Sequence, residues 1–459
     1  MKKNVNMYDD TLNNVRTYSR PSDLRITDIR FADIVGAPMH CILMKIETNQ
    51  GIVGYGEVRD WSCKDYALML KSRLLGENPC EIDKLFRKIK PLGTHSRGAG
   101  GVCGVELALW DIAGKAYGIP AYQMLGGKHR DKIRVYADTD IDGKPDGKRM
   151  GEALKSRLDK GFTLVKMDLG IDLLYDVPGA LCAPTGIIDD IRQASLSDVM
   201  SFKGTTEERY LRHRRVYPQY IPHPQTGIQI TELGLDWLEQ YCQDIRSIIG
   251  YDVPIAIDHL GHIGVNEAIK LGKRIEKYNI AWMEDAIPWQ FTEQYKLLQS
   301  SINIPVCTGE DIYCHEDFVP LIKSGGVSII HPDILTSGGL LETKKISDIA
   351  GENGVAMAIH MAESPIAAMA AANLAAACDN FLALEFHSHD VEWWDDLVSG
   401  PSKPIVNNGF ITLDDCAPGL GIAELNDEVI KEHLHPDVPG IWESTEEWND
   451  RYVYDRIWS

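Results

Sequence analysis
Apolar and polar residues alternate at strand spacing in three early runs, "LRITDIRFADIV", "HCILMKIETNQ" and "GIVGYGEV", between Leu24 and Val58. A period of two predicts strands with one buried face, and Asn49-Gln50-Gly51 supplies the turn between the second and third. The period then lengthens to that of a helix over about 63–75, 81–89 and 102–117, the last closed by the stop signals Gly118 and Pro120. Strands followed by helices, rather than interleaved with them, predict a small α+β domain at 23–132 behind a polar N-terminal arm at 1–22.

Beyond that domain the rhythm changes. Short apolar runs recur at "IRVYAD", "TLVKMD", "PIAID", "IAWME", "IPVCTGE", "VSIIHPD", "VAMAIH" and "FLALE", with helical patterns such as "GVNEAIKLGKRIEKYN" (264–279) between them. Alternating strand and helix signals parallel βα units, and eight of them predict a closed (β/α)₈ barrel over 133–390. The gap between Asp168 and Pro254 is too long for one helix. An insertion is expected at about 171–227, carrying the basic stretch "ERYLRHRR" (208–215), either as a surface or oligomer contact or as a lid. Residues 391–459 form a C-terminal segment.

Charge and cysteine usage narrow the class. The net charge of -20 over 459 residues argues against non-specific binding to nucleic acid or to an anionic membrane surface. Ten scattered cysteines with no CxxC suit free thiols in a reducing compartment. The apolar stretch 355–378, "VAMAIHMAESPIAAMAAANLAAAC", is broken by His360, Glu363 and Pro365, which suits a strand, a loop and a packed alanine-rich helix rather than a membrane span. "MKKNVNMYDD" lacks the apolar stretch of a signal peptide, and a cytoplasmic protein is expected.

The strand ends carry the chemistry. "IAWMED" (280–285) is an apolar run that finishes in two acids, and it is one of a series: Lys166, Asp258, Glu284, Glu310, Asp333, His360 and Glu385. From Asp258 onward the members are 23–27 residues apart, about one βα unit, so each falls at the carboxyl end of a barrel strand, where barrel active sites lie. A single acid there is ordinarily a helix cap, but a series at unit spacing is not explained that way. Asp258, Glu284 and Glu310 on consecutive strands form an oxygen-only set that suits Mg²⁺; zinc prefers His or Cys. Alternation within "IAWME" selects Glu284 over Asp285 as the ligand. Asp333 and His360 on the next two strand ends suit a carboxylate-oriented general base.

This ordered set resembles the enolase superfamily, mandelate racemase subgroup. "GFTLVKMDLG", "AIDH", "WMED", "CTGED", "HPDILTSGG", "AIHMAESP" and "LALE" resemble its strand-end motifs, and "GVELALWDIAGKAYGIPAYQMLGG" (104–127) its linker helix. The resemblance implies a barrel under an α+β cap that the C-terminal segment completes, and a homo-oligomer. It also implies one Mg²⁺ per subunit on Asp258, Glu284 and Glu310, with His360 as the base held by Asp333. Glu385 would hydrogen-bond a substrate carboxylate, and Lys166 would be the cationic partner opposite. The chain departs from the subgroup's Lys-x-Lys at Lys166-Met167-Asp168. Losing the second lysine lowers the odds of a racemase and favours dehydration of a sugar acid, with Asp168 as another acid/base or a hydroxyl acceptor. An epimerase or cycloisomerase, and a non-catalytic metal-binding barrel, stay open as alternatives. His262 is a candidate at the pocket, and His95 and Arg97 in "LGTHSRGAGG" are candidates for a distal substrate group or for plain solvent exposure.

Overall fold
The computed structural model describes residues 19–452 apart from 142, 185, 187, 189–226, 262 and 414–416. Its first three strands, β1 (Ile26–Ile34), β2 (Cys41–Thr48) and β3 (Val53–Val58), form the antiparallel sheet that the alternation predicts. The helical patterns become α1 (Ile82–Ile89) and α2 (Gly100–Tyr117), whereas 63–75 yields only two single turns, Asp65–Leu68 and Lys71–Leu74. Gly118 ends α2 in the left-handed conformation, φ 72°, a region where a Cβ is costly.

Glycines set how closely α2 lies on the sheet. A Cβ on Gly56 would come within 2.1 Å of the Gly104 carbonyl oxygen, and one on Gly104 within 2.3 Å of that of Glu57. Neither neighbour is a flexible side-chain end, so the helix itself would have to shift. Gly56→Ala is expected to cost roughly 1–3 kcal/mol, the usual price of overpacking a core, read as a lower denaturant midpoint at unchanged slope. A midpoint equal to wild type would mean that the cap absorbs the methyl.

The barrel strands are β4 (Lys132–Asp138), β5 (Val165–Asp168), β6 (Ile255–Asp258), β7 (Ile280–Glu284), β8 (Val306–Thr308), β9 (Ile329–Ile330), β10 (Ala356–Ile359) and β11 (Phe381–Phe386). Each is parallel to the next, and β11 pairs with β4 through Leu384↔Val135, Glu385↔Tyr136 and Phe386↔Ala137, which closes the ring. Helices fill the gaps: α3 (Gly147–Asp159), α4 (Glu232–Ile249), α5 (Val265–Ile275), α6 (Thr292–Ser301), α7 (Cys314–Ser324), α8 (Gly339–Glu352) and α9 (Pro365–Ala377). Local chemistry starts several of them. Asp146 accepts from the first-turn amides of α3, Thr231 from that of Gly234 in α4, and Ser364 from that of Ile366 ahead of Pro365 at the first turn of α9. Every residue of α9 is buried, as expected of an alanine-rich packed helix.

The inserted segment leaves and returns side by side. Leu181–Cys182 pairs antiparallel with Gln229–Ile230 between β5 and α4. The basic stretch 208–215 lies outside the described residues, as do residues 1–18 of the arm. The C-terminal segment adds β12 (Phe410–Thr412), antiparallel to β4, and then runs back to the cap beside β1. There Val35 N donates to His433 O, His435 N to Asp33 O and Trp442 N to Phe31 O. None of the nine described cysteines is in a disulfide. No described helix is long and apolar enough to cross a membrane.

Candidate active site
Lys166, in β5, is the hub of the strand-end series. Its ammonium lies 2.8 Å from Asp258 Oδ2, 2.9 Å from Glu284 Oε1, 2.8 Å from Glu385 Oε1 and 3.7 Å from Asp138 Oδ2, and the side chain is almost wholly buried. Burial alone would lower a lysine pKa; the carboxylates of Asp258, Glu284 and Glu385 outweigh it and hold Lys166 well above its ordinary value. The converse holds for the acids. Burial pushes Asp258 up, but Lys166 and His259 bring it down to about 2. Burial likewise raises Glu385, but Lys166 and then His360 hold it well below the carboxylate range.

Trp282 and Glu284 share one face of β7, as their alternation predicts. Trp282, two residues earlier on the same face, donates from Nε1 to Glu284 Oε2 at 2.7 Å. His331 Nδ1 lies 2.9 Å from the other oxygen, and the far nitrogen of that ring is 2.8 Å from the Tyr136 hydroxyl. Asp285 turns away at φ 41° and accepts from Thr308 Oγ1.

Asp333 and His360 meet as expected. His360 Nδ1 is 2.6 Å from Asp333 Oδ2, while Asp333 Oδ1 accepts the backbone N–H of Leu335 at 2.6 Å. The second ring nitrogen, Nε2, is 2.7 Å from Glu310 Oε2 and 3.8 Å from Glu385 Oε2. Burial works against a charged imidazole here, but Glu310 more than compensates, and His360 sits well above its ordinary pKa. Glu310 in turn is raised by burial and brought well below the carboxylate range by His360 and Arg59.

Asp258, Glu284 and Glu310 therefore stand on three consecutive strands, but their side chains divide. The first two face Lys166 and the third faces His360. As a donor set they fit a hard cation: all three are carboxylates, and Asp258 and Glu310 are held ionised at neutral pH. The tighter groupings nearby, Glu284–Cys307–His331, His360–Glu385–His387 and Asp333–His360–Glu363, each bring in a nitrogen or a sulfur and suit Mg²⁺ less well.

Across the ring from the dyad lies a second acid–imidazole pair. Asp168 Oδ1 is 2.9 Å from His259 Nδ1. The His259 ring is largely exposed, and its backbone is in the left-handed region, φ 47°, which is strained for a residue with a side chain. Asp168 ends the second barrel strand and His259 follows the third, whereas Asp333 and His360 follow the sixth and seventh, half a turn away. The signal for His259 was its place directly after Asp258; the left-handed turn that aims it is invisible in composition. His262 lies outside the described residues.

The cap candidates have protein partners, and Arg97 lies beside the site through Asp60, which also contacts Arg59. Arg97 pairs with Asp60 at 3.2 Å and with Asp311 at 3.3 Å, which ties the cap to the loop after β8. His95 packs against the Trp289 ring, 5.0 Å between centroids, with Asp317 3.5 Å from Nε2. Trp394 is buried against Phe386, and Trp393 stacks on His433, so both serve packing around the C-terminal segment. The alternation that marks β3 carries no sign that Arg59, immediately after it, is wholly buried beside the dyad.

A closed parallel barrel with acids on successive strand ends, an Asp–His dyad and an α+β cap defines an enolase-type protein. The chain belongs to the enolase superfamily, in its mandelate racemase / muconate lactonizing enzyme group: residues 149–429 match the "Enolase C-terminal domain-like" family, and residues 19–126 match "Mandelate racemase / muconate lactonizing enzyme, N-terminal domain". It is 32% identical over 427 residues to a D-xylonate dehydratase of Haloferax volcanii, covering 90% of this chain and 89% of that one. It is 27% identical to a D-galactonate dehydratase of Verminephrobacter eiseniae, covering 86% and 91%. Among solved structures it is similar to a mandelate racemase/muconate lactonizing enzyme-like protein from Rubrobacter xylanophilus, with a TM-score of 0.74 at 26% identity, covering 91% of this chain and all of that one.

Proposed function
We propose that the chain is a Mg²⁺-dependent lyase that dehydrates a sugar acid, an aldonate or an aldarate, to a 2-keto-3-deoxy acid. The enzyme class is supported by the relatives, which are named D-xylonate and D-galactonate dehydratases. The observation that carries the reading is the pair of acid–imidazole couples half a barrel turn apart, His360–Asp333 and His259–Asp168, with the Lys166 hub on the same strand as Asp168. A small acid bound at the strand ends would have one couple on each side.

Asp258, Glu284 and Glu310 would hold the Mg²⁺, whose charge would acidify the carbon next to the substrate carboxylate and stabilise the developing enediolate. His360 is held protonated by Glu310 in this arrangement, so Nε2 takes the α-proton only after giving up its own proton. Asp333 keeps the other ring nitrogen protonated and the ring in place. The Lys166 ammonium faces the developing negative charge and is held in position by Glu385. Glu385 is ionised in this arrangement, so it donates to a substrate carboxylate only after taking up a proton. The β-hydroxyl then leaves as water with a proton from an imidazolium, and the resulting enol becomes the ketone.

Dehydration and epimerisation part at the second couple. Asp168→Asn is expected to slow ketone formation by roughly 10²-fold, at the low end of general acid–base contributions, while exchange of the α-proton with D₂O persists. Loss of both together would make Asp168 part of the first step and favour the epimerase alternative. The reading as a whole is tested by incubating the Mg²⁺-loaded protein with a library of mono- and diacid sugars and trapping ketones as semicarbazones. Signal from one acid or a few related acids supports it. No ketone from any of them, with deuterium entering an α-carbon, would move the chain to the isomerases.

A further inference from the structure
We propose that Arg59 is a positioning residue for the catalytic base, so that the capping domain supplies part of the dyad it covers. The proposal rests on His360 acting as the base in the reading above. Arg59 follows β3 directly, and its side chain is wholly inaccessible to solvent. Its Nη1 contacts Asp333 Oδ2 and lies 3.0 Å from His360 Nδ1 and 2.9 Å from Glu363 Oε1. Nε is 3.1 Å from Asp60 Oδ1 and Nη2 is 3.9 Å from Glu310 Oε2.

A guanidinium can only donate. Asp333 Oδ2 is therefore shared by two donors, Arg59 Nη1 and His360 Nδ1, while Asp333 Oδ1 takes the Leu335 amide. With the carboxylate held from three directions, the ring proton stays at Nδ1 and the lone pair of the neutral imidazole stays at Nε2. Glu363, the next acid along from the base, is fixed in the same way, with Oε1 on Arg59 and Oε2 on the Ala362 amide. One residue of the cap thus braces both acids that flank His360.

The position of Arg59 depends on how the cap sits. Glu57, two residues earlier, accepts from Ser364 N at 3.2 Å and from Ser364 Oγ at 2.5 Å, which pins the end of β3 to the start of α9. A Cβ on Gly100 would fall 2.6 Å from Arg59 N and 2.7 Å from Arg59 Cβ, so the first turn of α2 presses on the arginine backbone. If Arg59 merely neutralised buried acids, any cation, or fewer acids, would serve equally. If it positions the base, its planar fork is needed, and a lysine ammonium does not reproduce it.

The test uses Arg59→Lys, Arg59→Met and the double variant Arg59→Met/Glu363→Gln, which removes a buried acid together with the cation in case the single Met variant fails to fold. Protein labelled with ¹⁵N-histidine is examined without substrate at one pH, and the His360 ring signals are assigned by their loss in His360→Asn. Arg59→Lys and the double variant should show altered His360 ring-nitrogen shifts, with unaltered His435 signals as the control. With a substrate acid, turnover and α-proton exchange should fall together by about 10–100-fold with little change in KM, the usual effect of removing an outer partner of a site. His360 ring signals identical to wild type in folded Arg59→Lys would overturn the proposal whatever the substrate proves to be. A wild-type protein that neither dehydrates nor exchanges any sugar acid would instead overturn the functional reading, and the ring signals would still decide the role of Arg59.

Discussion

His360→Asn should lower turnover by roughly 10²–10⁴-fold, the usual contribution of a general base, and stop exchange of the substrate α-proton with D₂O. The substitution is chosen for its geometry. An asparagine amide reaches about where Nδ1 sits and donates to Asp333 Oδ2 in its place, so that carboxylate keeps a partner at the His360 position. Nothing replaces Nε2, the atom that faces Glu310 at 2.7 Å and the one available to take a proton. The variant should fold as wild type does and bind Mg²⁺ much as wild type does, because His360 is not in the proposed ligand set. Exchange measured by NMR at the wild-type rate would mean that another group, with the His259–Asp168 pair first in line, removes the α-proton.

Glu284→Gln should weaken Mg²⁺ binding by at least about 100-fold, the upper end of what even an outer-shell change costs a metal site, and abolish turnover at ordinary Mg²⁺ concentrations. The substitution has no comfortable orientation. One Glu284 oxygen accepts from the Trp282 indole, and the other lies 2.9 Å from the Lys166 ammonium. An amide nitrogen placed at either position meets a donor instead of an acceptor. The variant should therefore also lose roughly 1–3 kcal/mol of stability, the cost of leaving a buried donor unsatisfied. Calorimetric Mg²⁺ titration and denaturant unfolding read the two effects separately. Unchanged Mg²⁺ affinity would remove Glu284 from the ligand set even if stability fell as expected.

Most of the barrel was legible because its signals are local. A strand buried on both faces reads as an apolar run, a βα unit has a characteristic length, and a polar residue ending such a run stands out from it. On that basis Lys166, Asp258, Glu284, Glu310, Asp333, His360 and Glu385 could be singled out as one series, and the antiparallel cap sheet followed from alternation alone. The stretch 63–75 misled because its apolar spacing continues through a break at Met69 and Leu70, where two separate turns replace one helix.

The rest depended on distance through space. Sequence order says that Asp258, Glu284 and Glu310 end neighbouring strands; it does not say that Lys166 draws the first two and His360 the third, since a carboxylate turns toward whichever cation is within reach. Arg97 reads as a free cation in a glycine-rich loop, but the loop lands where Asp60 and Asp311 claim it. Arg59 is the extreme case. It is 274 residues from Asp333 and 301 from His360, and nothing near it in the chain marks it as buried. The sequence by itself determined the cap, the eight βα units and the polar series at their ends, because periodicity and spacing record which residues an element buries. Only the tertiary structure decided the pairing of those side chains across the rim and the entry of a cap arginine into the dyad, because charges find partners by proximity, and proximity between distant segments exists only once the chain has closed the barrel beneath the cap.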